Sequence, residues 1–301
     1  MIIVRLTGGL GNQMFQYALG RHLAEKLSTT LKLDPLFYES NKLRHYELHC
    51  FHIWEHIATQ AEIDALRREQ RTRLYHFLQR GLRKLKIDNP ITRQPPNPFH
   101  VREADHSFHP EVLEKSGPLY LDGYWQSEKY FRDIAEIIHR EFEIKYKQDA
   151  ESQRISELIH ATESVSLHVR RADYVQNPVV NQIHGTCDQA YYDRAIHHLT
   201  QSIQNPHFFL FSDDPAWVKA ELKLDFPATI LEHNGPSRSY EDLRLMSQCK
   251  HNIIANSSFS WWGAWLNKNP AKIVVAPARW YADPVKNAQT KDVVPETWVK
   301  Q

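Results

Sequence analysis

The chain predicts an α/β fold of parallel sheets, arranged as two units that face a cleft. Three observations predict it. Apolar, strand-like runs at residues 2–6, 31–33, 119–121, 165–169, 208–211, 229–231, 252–255 and 272–276 alternate with segments of helical spacing. Glycines or short polar residues follow several of these runs, where a parallel strand hands its chain to a helix and where ligands collect in such sheets. The rhythm restarts near residues 145–155, dividing the 301 residues into an expected N-terminal unit over 1–150 and a C-terminal unit over 151–301.

Taken in order, residues 2–6 read as a buried strand. Residues 12–27 carry Phe15, Leu19, Leu23 and Leu27 on one helical face. A short strand at 31–33 ends at Asp34-Pro35. Residues Ala61 to Lys86 are helix-rich and strongly basic, the basic stretch running from Arg67 to Lys86. It reads as a solvated helical face, with a membrane-docking or partner surface as the alternative. A proline-rich loop over 88–98 follows, then the strand at 119–121 and helices at 128–140 and 152–161. In the second half, helices at 191–201, 216–222, 240–248 and 259–266 connect the strands.

Composition narrows the function classes. Apolar residues at 42% and charged residues at 24% are those of a soluble globular protein. A net charge of +1 argues against a nucleic-acid partner, since a surface that tracks phosphates needs a clear basic excess. No run of about 18 apolar residues is present to span a bilayer. The opening strand is too short and wrongly flanked for a signal peptide. Cys50, Cys187 and Cys249 are few, odd in number and far apart, which points to a reducing compartment, with the cytosol as the default.

Four segments could carry chemistry. Gly8-Gly9-Leu10-Gly11-Asn12-Gln13 joins a strand to a helix; it is either a tight turn or a ligand loop offering helix-start N–H groups to an anion. It lacks the final glycine of a dinucleotide fingerprint and the Lys-Ser/Thr of a P-loop. His168-Val169-Arg170-Arg171-Ala172-Asp173-Tyr174 closes a strand, so His168 and Arg170 project to one side and Arg171 to the other. An arginine fork there can clamp a pyrophosphate, the alternative being a structural pair between Arg171 and Asp173. In Phe211-Ser212-Asp213-Asp214 the Asp-x-Asp spacing of a metal site is missing. Asp214 before Pro215 suits a helix cap, and Asp213 is placed to touch a ribose or a base. Asn256-Ser257-Ser258-Phe259-Ser260-Trp261-Trp262 offers hydroxyls and N–H groups at a helix start, with tryptophans for packing. His45, His49, His52 and His56 would line one helix face, but no carboxylate matches them as a co-ligand, so no metal is expected.

Together, residues 8–18, 123–131, 168–174, 242–249 and 255–266 resemble the α1,2-fucosyltransferases of glycosyltransferase family eleven. The His-x-Arg-Arg-x-Asp element is shared more loosely with α1,6- and protein O-fucosyltransferases. The resemblance implies a GT-B-like architecture of two Rossmann-like domains facing a cleft. It also implies inverting, metal-independent transfer of L-fucose from GDP-fucose to the 2-hydroxyl of a terminal β-galactoside, on an oligosaccharide or a lipid-linked glycan. The alternatives are a different linkage, such as α1,6, or a non-catalytic binder of GDP-sugar or glycan.

Residue by residue, the resemblance puts Arg170 on the β-phosphate and His168 and Asp242 at the guanine. Ser257, Ser258, Phe259 and Ser260 would hold the pyrophosphate, with Gly11 on the donor side. Asn12 and Gln13 would face the reacting centre, and Trp125 and Gln126 would form the acceptor side, the tryptophan stacking on a sugar. Asp173 is the expected partner for the acceptor proton, with His184 and Asp188 as lesser candidates; the alternative is an oxocarbenium-like transition state that needs no strong base. Related enzymes carry a glutamate later in this motif, where this chain has Pro178. Animal members of the wider group have a membrane anchor, whereas this chain reads as a bacterial-type cytoplasmic enzyme, with peripheral contact to the inner membrane as the alternative role of its basic stretch.

Overall fold

Two all-parallel sheets organise the chain. This computed structural model describes residues 1–41, 43–67, 97–171 and 178–301. The first sheet contains β1 (Ile2–Arg5), β2 (Leu31–Asp34), β3 (His100–Arg102) and β4 (Leu119–Asp122), in the order β2-β1-β4-β3. The second contains β5 (Glu163–Val169), β6 (Pro206–Ser212), β7 (Ala228–Leu231), β8 (His251–Ile253), β9 (Val274–Ala276) and β10 (Val299–Lys300), in the order β10-β9-β8-β5-β6-β7. Continuous apolar runs such as Phe208 to Phe211 of β6, buried throughout, are what a strand covered on both faces requires.

The first half carries α1 (Leu10–Lys26), α2 (Phe37–Ser40), α3 (Gln60–Arg67) and α4 (Ala135–Glu141). The second carries α5 (Ala150–Ala161), α6 (Pro178–His184), α7 (Gln189–Thr200), α8 (Pro215–Glu221), α9 (Ser239–Gln248), α10 (Ser258–Trp265) and α11 (Pro284–Ala288). Short polar side chains start many of them. Asp149, Asp188, Asp214, Ser257 and Asp283 each accept a first-turn N–H of the helix they open. Asp214 is therefore a cap, accepting from Trp217 N–H at 3.1 Å.

Several expectations are corrected. Residues 45–56 are not a helix; they hold one 3₁₀ turn, Leu48–Cys50, and a bridge from Phe51 to Ile144. The spacing of the four histidines therefore places them on no common face, and no group of three or more metal-ligating side chains exists among the described residues. The helix expected at 128–140 begins as two 3₁₀ turns, Glu128–Tyr130 and Arg132–Ile134, before α4. Strands β3 and β10 were not expected, being three and two residues long. The basic stretch falls outside the described residues apart from Arg67, whose guanidinium lies 5.3 Å from the ring centroid of buried Tyr120. Among the described residues no helix is long and apolar enough to cross a membrane. Cys50, Cys187 and Cys249 are free and buried.

The largest apolar core does not respect the midpoint of the chain. Phe15 of α1 sits 4.5 Å from Trp261 and 4.9 Å from Trp262 of α10, centroid to centroid. Phe131 stacks on Trp262 at 5.2 Å. Tryptophans that follow a polar helix start thus pack inward, and they tie the two sheets together.

Candidate active site

Strand order decides where a ligand can sit. In the second sheet β5 lies between β8 and β6, so successive strands are laid down on either side of it, and the crevice at its carboxyl end is a topological switch point. The register pairs Leu167 with Ile253 and Val169 with Ser212. Residues just beyond β5, Arg170 and Arg171, therefore emerge between Asp213-Asp214 and Asn256-Ser257. In the first sheet β1 lies between β2 and β4, which brings the Gly8-Gly9 turn beside the Gly123-to-Gln126 turn.

Arg170 is held by charge. Its Nη1 lies 3.0 Å from Asp213 Oδ2, while Asp213 Oδ1 accepts the Arg171 N–H at 2.8 Å. Both Asp213 oxygens are thus engaged by the motif itself, and the carboxylate holds the arginine pair. Arg171 turns away, its guanidinium 4.2 Å from the Trp217 ring centroid. His168 faces α10, 5.9 Å from the Phe259 ring, and its buried Nδ1 has no hydrogen-bond partner. Burial, helped by the Arg170 charge, pushes its imidazole down to about 3, so it is neutral at any physiological pH and presents one donor and one acceptor.

Helix α10 points its N-terminus at this crevice. Ser257 Oγ accepts the Phe259 N–H at 3.3 Å, and the N–H groups of Ser258 and Ser260 have no acceptor among the described residues. A partial positive charge is thereby aimed at the same space as Arg170. Ser260 itself is buried, its hydroxyl donating back to Ser257 O at 3.4 Å, so any contribution to an anion comes from its N–H rather than its side chain. Gly11 lets the other helix approach: a Cβ there would lie 2.5 Å from the Ser258 carbonyl carbon. Trp262 Nε1 donates to Gly11 O at 3.0 Å across the same contact.

The start of α1 is differently used. Its Leu10 N–H is met by the Glu47 carboxylate, which also accepts from Ser239 Oγ at 3.0 Å; burial raises the pKa of Glu47 above its ordinary value. Gln13 is fully buried. Its Nε2 donates to His45 O at 2.8 Å and its Oε1 accepts the Glu47 N–H at 2.9 Å. The expectation that Gln13 faces the reacting centre is corrected: its amide is consumed in bracing the loop that carries Glu47. Asn12 is half-buried, and its Oδ1 accepts from Gln126 Nε2 at 2.8 Å.

On the acceptor side Trp125 is also corrected. It is 1% exposed, with its ring edge-on to Tyr130 at 5.7 Å, so it has no face free for a sugar. The accessible ring in that turn is Tyr124, 37% exposed. Asp242, on α9, accepts from Asn234 Nδ2 at 2.8 Å, and burial raises its carboxyl to about 6. Asp173 lies outside the described residues. Asp188 is occupied as the cap of α7, accepting Tyr191 N–H at 2.8 Å, and the His184 carbonyl accepts from Asn256 Nδ2 at 3.0 Å.

A guanidinium, a helix N-terminus and a neutral histidine lie about one crevice, an arrangement that can hold an anion. The sequence profile of Glycosyl transferase family 11 matches residues 99–301. The chain is 33% identical to the Alpha-1,2-colitosyltransferase of Escherichia coli, the alignment covering 100% of this chain and 98% of that one. The chain belongs to glycosyltransferase family 11.

Other likenesses agree with that membership. The Galactoside alpha-(1,2)-fucosyltransferase 1 of Ateles belzebuth is 26% identical over 49% of this chain and 43% of its own length. Among solved structures, that of NodZ alpha-1,6-fucosyltransferase soaked with GDP-fucose superposes with a TM-score of 0.51 at 15% identity, covering 95% of this chain and 96% of that one. That likeness is one of fold, and the fold is GT-B: two parallel-sheet α/β halves about a cleft.

This family 11 enzyme has two further clefts, of about 540 and 590 Å³, on the face around His139, Asn267 and Lys268. They lie away from the switch point, and Lys272, one of the cations that border the second, is already used. Lys272 Nζ donates to Ala264 O and Asn267 O, both at 2.8 Å, capping the C-terminus of α10, and burial lowers it to about 8. Glu47, Glu103 and Asn234 were missed in the sequence. Glu103 accepts both the Tyr124 N–H at 2.7 Å and the Trp125 N–H at 2.8 Å, and the signal for it, its place just past β3, was hidden because that strand is so short.

Proposed function

We propose that this glycosyltransferase moves L-fucose from GDP-fucose to the 2-hydroxyl of a terminal β-galactoside, with inversion and without a metal ion. The observation that carries the reading is the convergence of the Asp213-held Arg170 on the open first-turn N–H groups of α10. The acceptor oxygen bonds to the sugar C1 from the face opposite the nucleotide as the C1–O bond to the β-phosphate breaks. GDP leaves with that electron pair. The charge growing on its β-phosphate is met by preorganised donors, the Arg170 fork and the Ser258 and Ser260 N–H groups, which is where such a site lowers its barrier most. His168 and Asp242 read the guanine, a carboxylate being the natural acceptor for its N1–H and exocyclic amine. Asp173 takes the acceptor proton. The enzyme works in the cytoplasm.

The test is GDP release from GDP-fucose with lactose and EDTA present, for wild type and Arg170→Ala, followed by linkage analysis of the product. Lactose-dependent release by wild type, lost in the variant, with a 2-linked product, supports the reading. A product linked elsewhere overturns the linkage, and donor binding without turnover on any galactoside favours a non-catalytic binder. The full-length likeness to an alpha-1,2-colitosyltransferase supports a second reading. Colitose is fucose without its 3-hydroxyl, so a competition between GDP-fucose and GDP-colitose separates the two donors.

A further inference from the structure

Tyr124 is anchored by its backbone and open at its side chain. Gln16, fully buried in α1, accepts the Thr7 N–H on Oε1 at 2.9 Å. Its Nε2 therefore faces the other way and donates to Thr7 Oγ1 at 3.0 Å and to Gly123 O at 3.1 Å. That amide staples the turn after β1 to the turn after β4, and Tyr124 is the next residue. On the other side the half-buried Glu103 carboxylate takes the Tyr124 and Trp125 N–H groups. Trp125 then holds a φ of +57°, a left-handed conformation rare for a bulky side chain, with its ring in the core. Tyr124 is left outside. Its ring meets no other ring, and its hydroxyl has no hydrogen-bond partner, among the described residues.

The exposed ring borders a polar crevice. Tyr38 of α2 donates its hydroxyl to Gly8 O at 3.0 Å. Burial raises its pKa, the Glu47 carboxylate and the Tyr124 phenol add to the rise, and the Arg44 guanidinium opposes it, so these three groups surround one phenol. Arg44 also lies over the glycine turn: a Cβ on Gly9 would stand 3.5 Å from its Nη1. The first sheet reverses its strand order beside β1, so this crevice is its ligand position, as the Arg170 crevice is that of the second sheet. The two open toward each other. Gly11 near the start of α1 meets Ser258 at the start of α10, so the helix starts that follow β1 and β8 touch. A ligand on Tyr124 and a ligand at the α10 N-terminus therefore share one cleft.

We propose that Tyr124 is an acceptor-binding residue: its ring takes the apolar face of a terminal galactose, and Arg44 beside it meets hydroxyls of the same sugar. A galactopyranose gathers the hydrogens of C3, C4 and C5 on one face, because its 4-hydroxyl points to the other, and that face matches an aromatic ring. One such ring with a few convergent polar groups is the usual make-up of a small-ligand site. The left-handed turn at Trp125 presents the neighbouring tyrosine, and backbone strain of this kind clusters where a side chain must meet a ligand. The kinetic consequence rests on the transfer reaction proposed above; the contact between Tyr124 and a galactoside does not.

Tyr124→Ala removes the ring and Tyr124→Phe keeps it. With GDP present, saturation-transfer NMR on lactose should show the galactose H3, H4 and H5 signals saturated by wild type and by Tyr124→Phe, and lost in Tyr124→Ala. In turnover, Tyr124→Ala should raise the KM for lactose about tenfold, while Tyr124→Phe stays within about twofold of wild type. The Kd for GDP, by calorimetry, should be the same in all three proteins, which separates a lost sugar contact from a disturbed fold. Galactose saturation that survives Tyr124→Ala, or that is absent from wild type, overturns the proposal, and so does a GDP affinity that weakens along with lactose. A lactose signal that depends on Tyr124 without fucosyl transfer upholds the contact and faults the donor assignment. Transfer to lactose with an unchanged KM in Tyr124→Ala faults the contact alone.

Discussion

Arg170 and Asp213 act as a unit, because the carboxylate that neutralises the guanidinium also fixes the backbone beside it through the Arg171 N–H. Arg170→Ala should cut kcat by about 10²–10³-fold, the usual cost of losing one preorganised donor to a developing anion. Arg170→Lys should recover only part of it, since an ammonium keeps the charge but loses the planar fork. Steady-state kinetics on the two variants checks both statements. Asp242 offers a test by pH. Its carboxyl is raised by burial from 3.8 to about 6. Between those values the folded protein holds a proton that the unfolded chain has lost. The contribution to stability is therefore most favourable below about pH 4, declines as pH rises through 6, and remains a cost above it. Asp242→Asn keeps an acceptor for Asn234 and removes the charge. It should melt higher than wild type at pH 8, by on the order of 1–3 kcal/mol, and equally near pH 4. On the proposed guanine contact it should also bind GDP more weakly at pH 8, where the wild-type carboxylate is ionised. Melting curves and GDP titrations across that range decide it; an Asn variant that gains nothing above pH 6 contradicts the raised pKa.

At the scale of elements, the site depends on how closely α1 approaches α10. The Cβ of Gly11→Ala would enter the Ser258–Phe259 peptide, which is backbone and cannot yield as a side-chain tip would. The helices must part, at about 1–3 kcal/mol for an overpacked contact, and the α10 N-terminus moves with them. Both the melting temperature and the affinity for GDP should fall, which differential scanning fluorimetry with and without nucleotide would show. This contact explains what could and could not be read from the sequence. Strands in the second half, the capping aspartates and the polar start of α10 announce themselves locally, through apolar runs and short side chains at strand ends. Which way a residue in a turn points is not local information. Gln13 and Trp125 sit beside glycines at strand ends, as ligand-facing residues do, yet one is drawn in to brace the Glu47 loop and the other is buried by a left-handed turn. Glu47 and Asn234 come from loops with no pattern of their own; Asn234 reaches Asp242 within the second half, and only the packing of the two halves brings Glu47 to Ser239.

For the whole molecule, the division into residues 1–150 and 151–301 remains a proposal, and the core indicates how independent two such units could be. Phe15 and Phe131 from the first are packed against Trp261 and Trp262 from the second. Polar links run alongside: Lys129 Nζ to Asp292 at 2.8 Å, and Trp265 Nε1 to Glu128 Oε2 at 3.1 Å. Each buried aromatic that lost its partners would forfeit about 3–5 kcal/mol, a large part of the stability of any domain. Separate unfolding of the halves would expose several at once. Heating should therefore give one cooperative transition, with calorimetric and van't Hoff enthalpies in agreement. GDP should move that transition upward without splitting it, by about 2.7 kcal/mol at a hundredfold excess over its Kd. Residues 1–150 expressed alone should lack fixed tertiary structure, because the tryptophans that complete their core are absent. Two resolved transitions, or a folded N-terminal fragment with sharp near-ultraviolet dichroism, would mean that the halves are joined at the cleft but not through a common core.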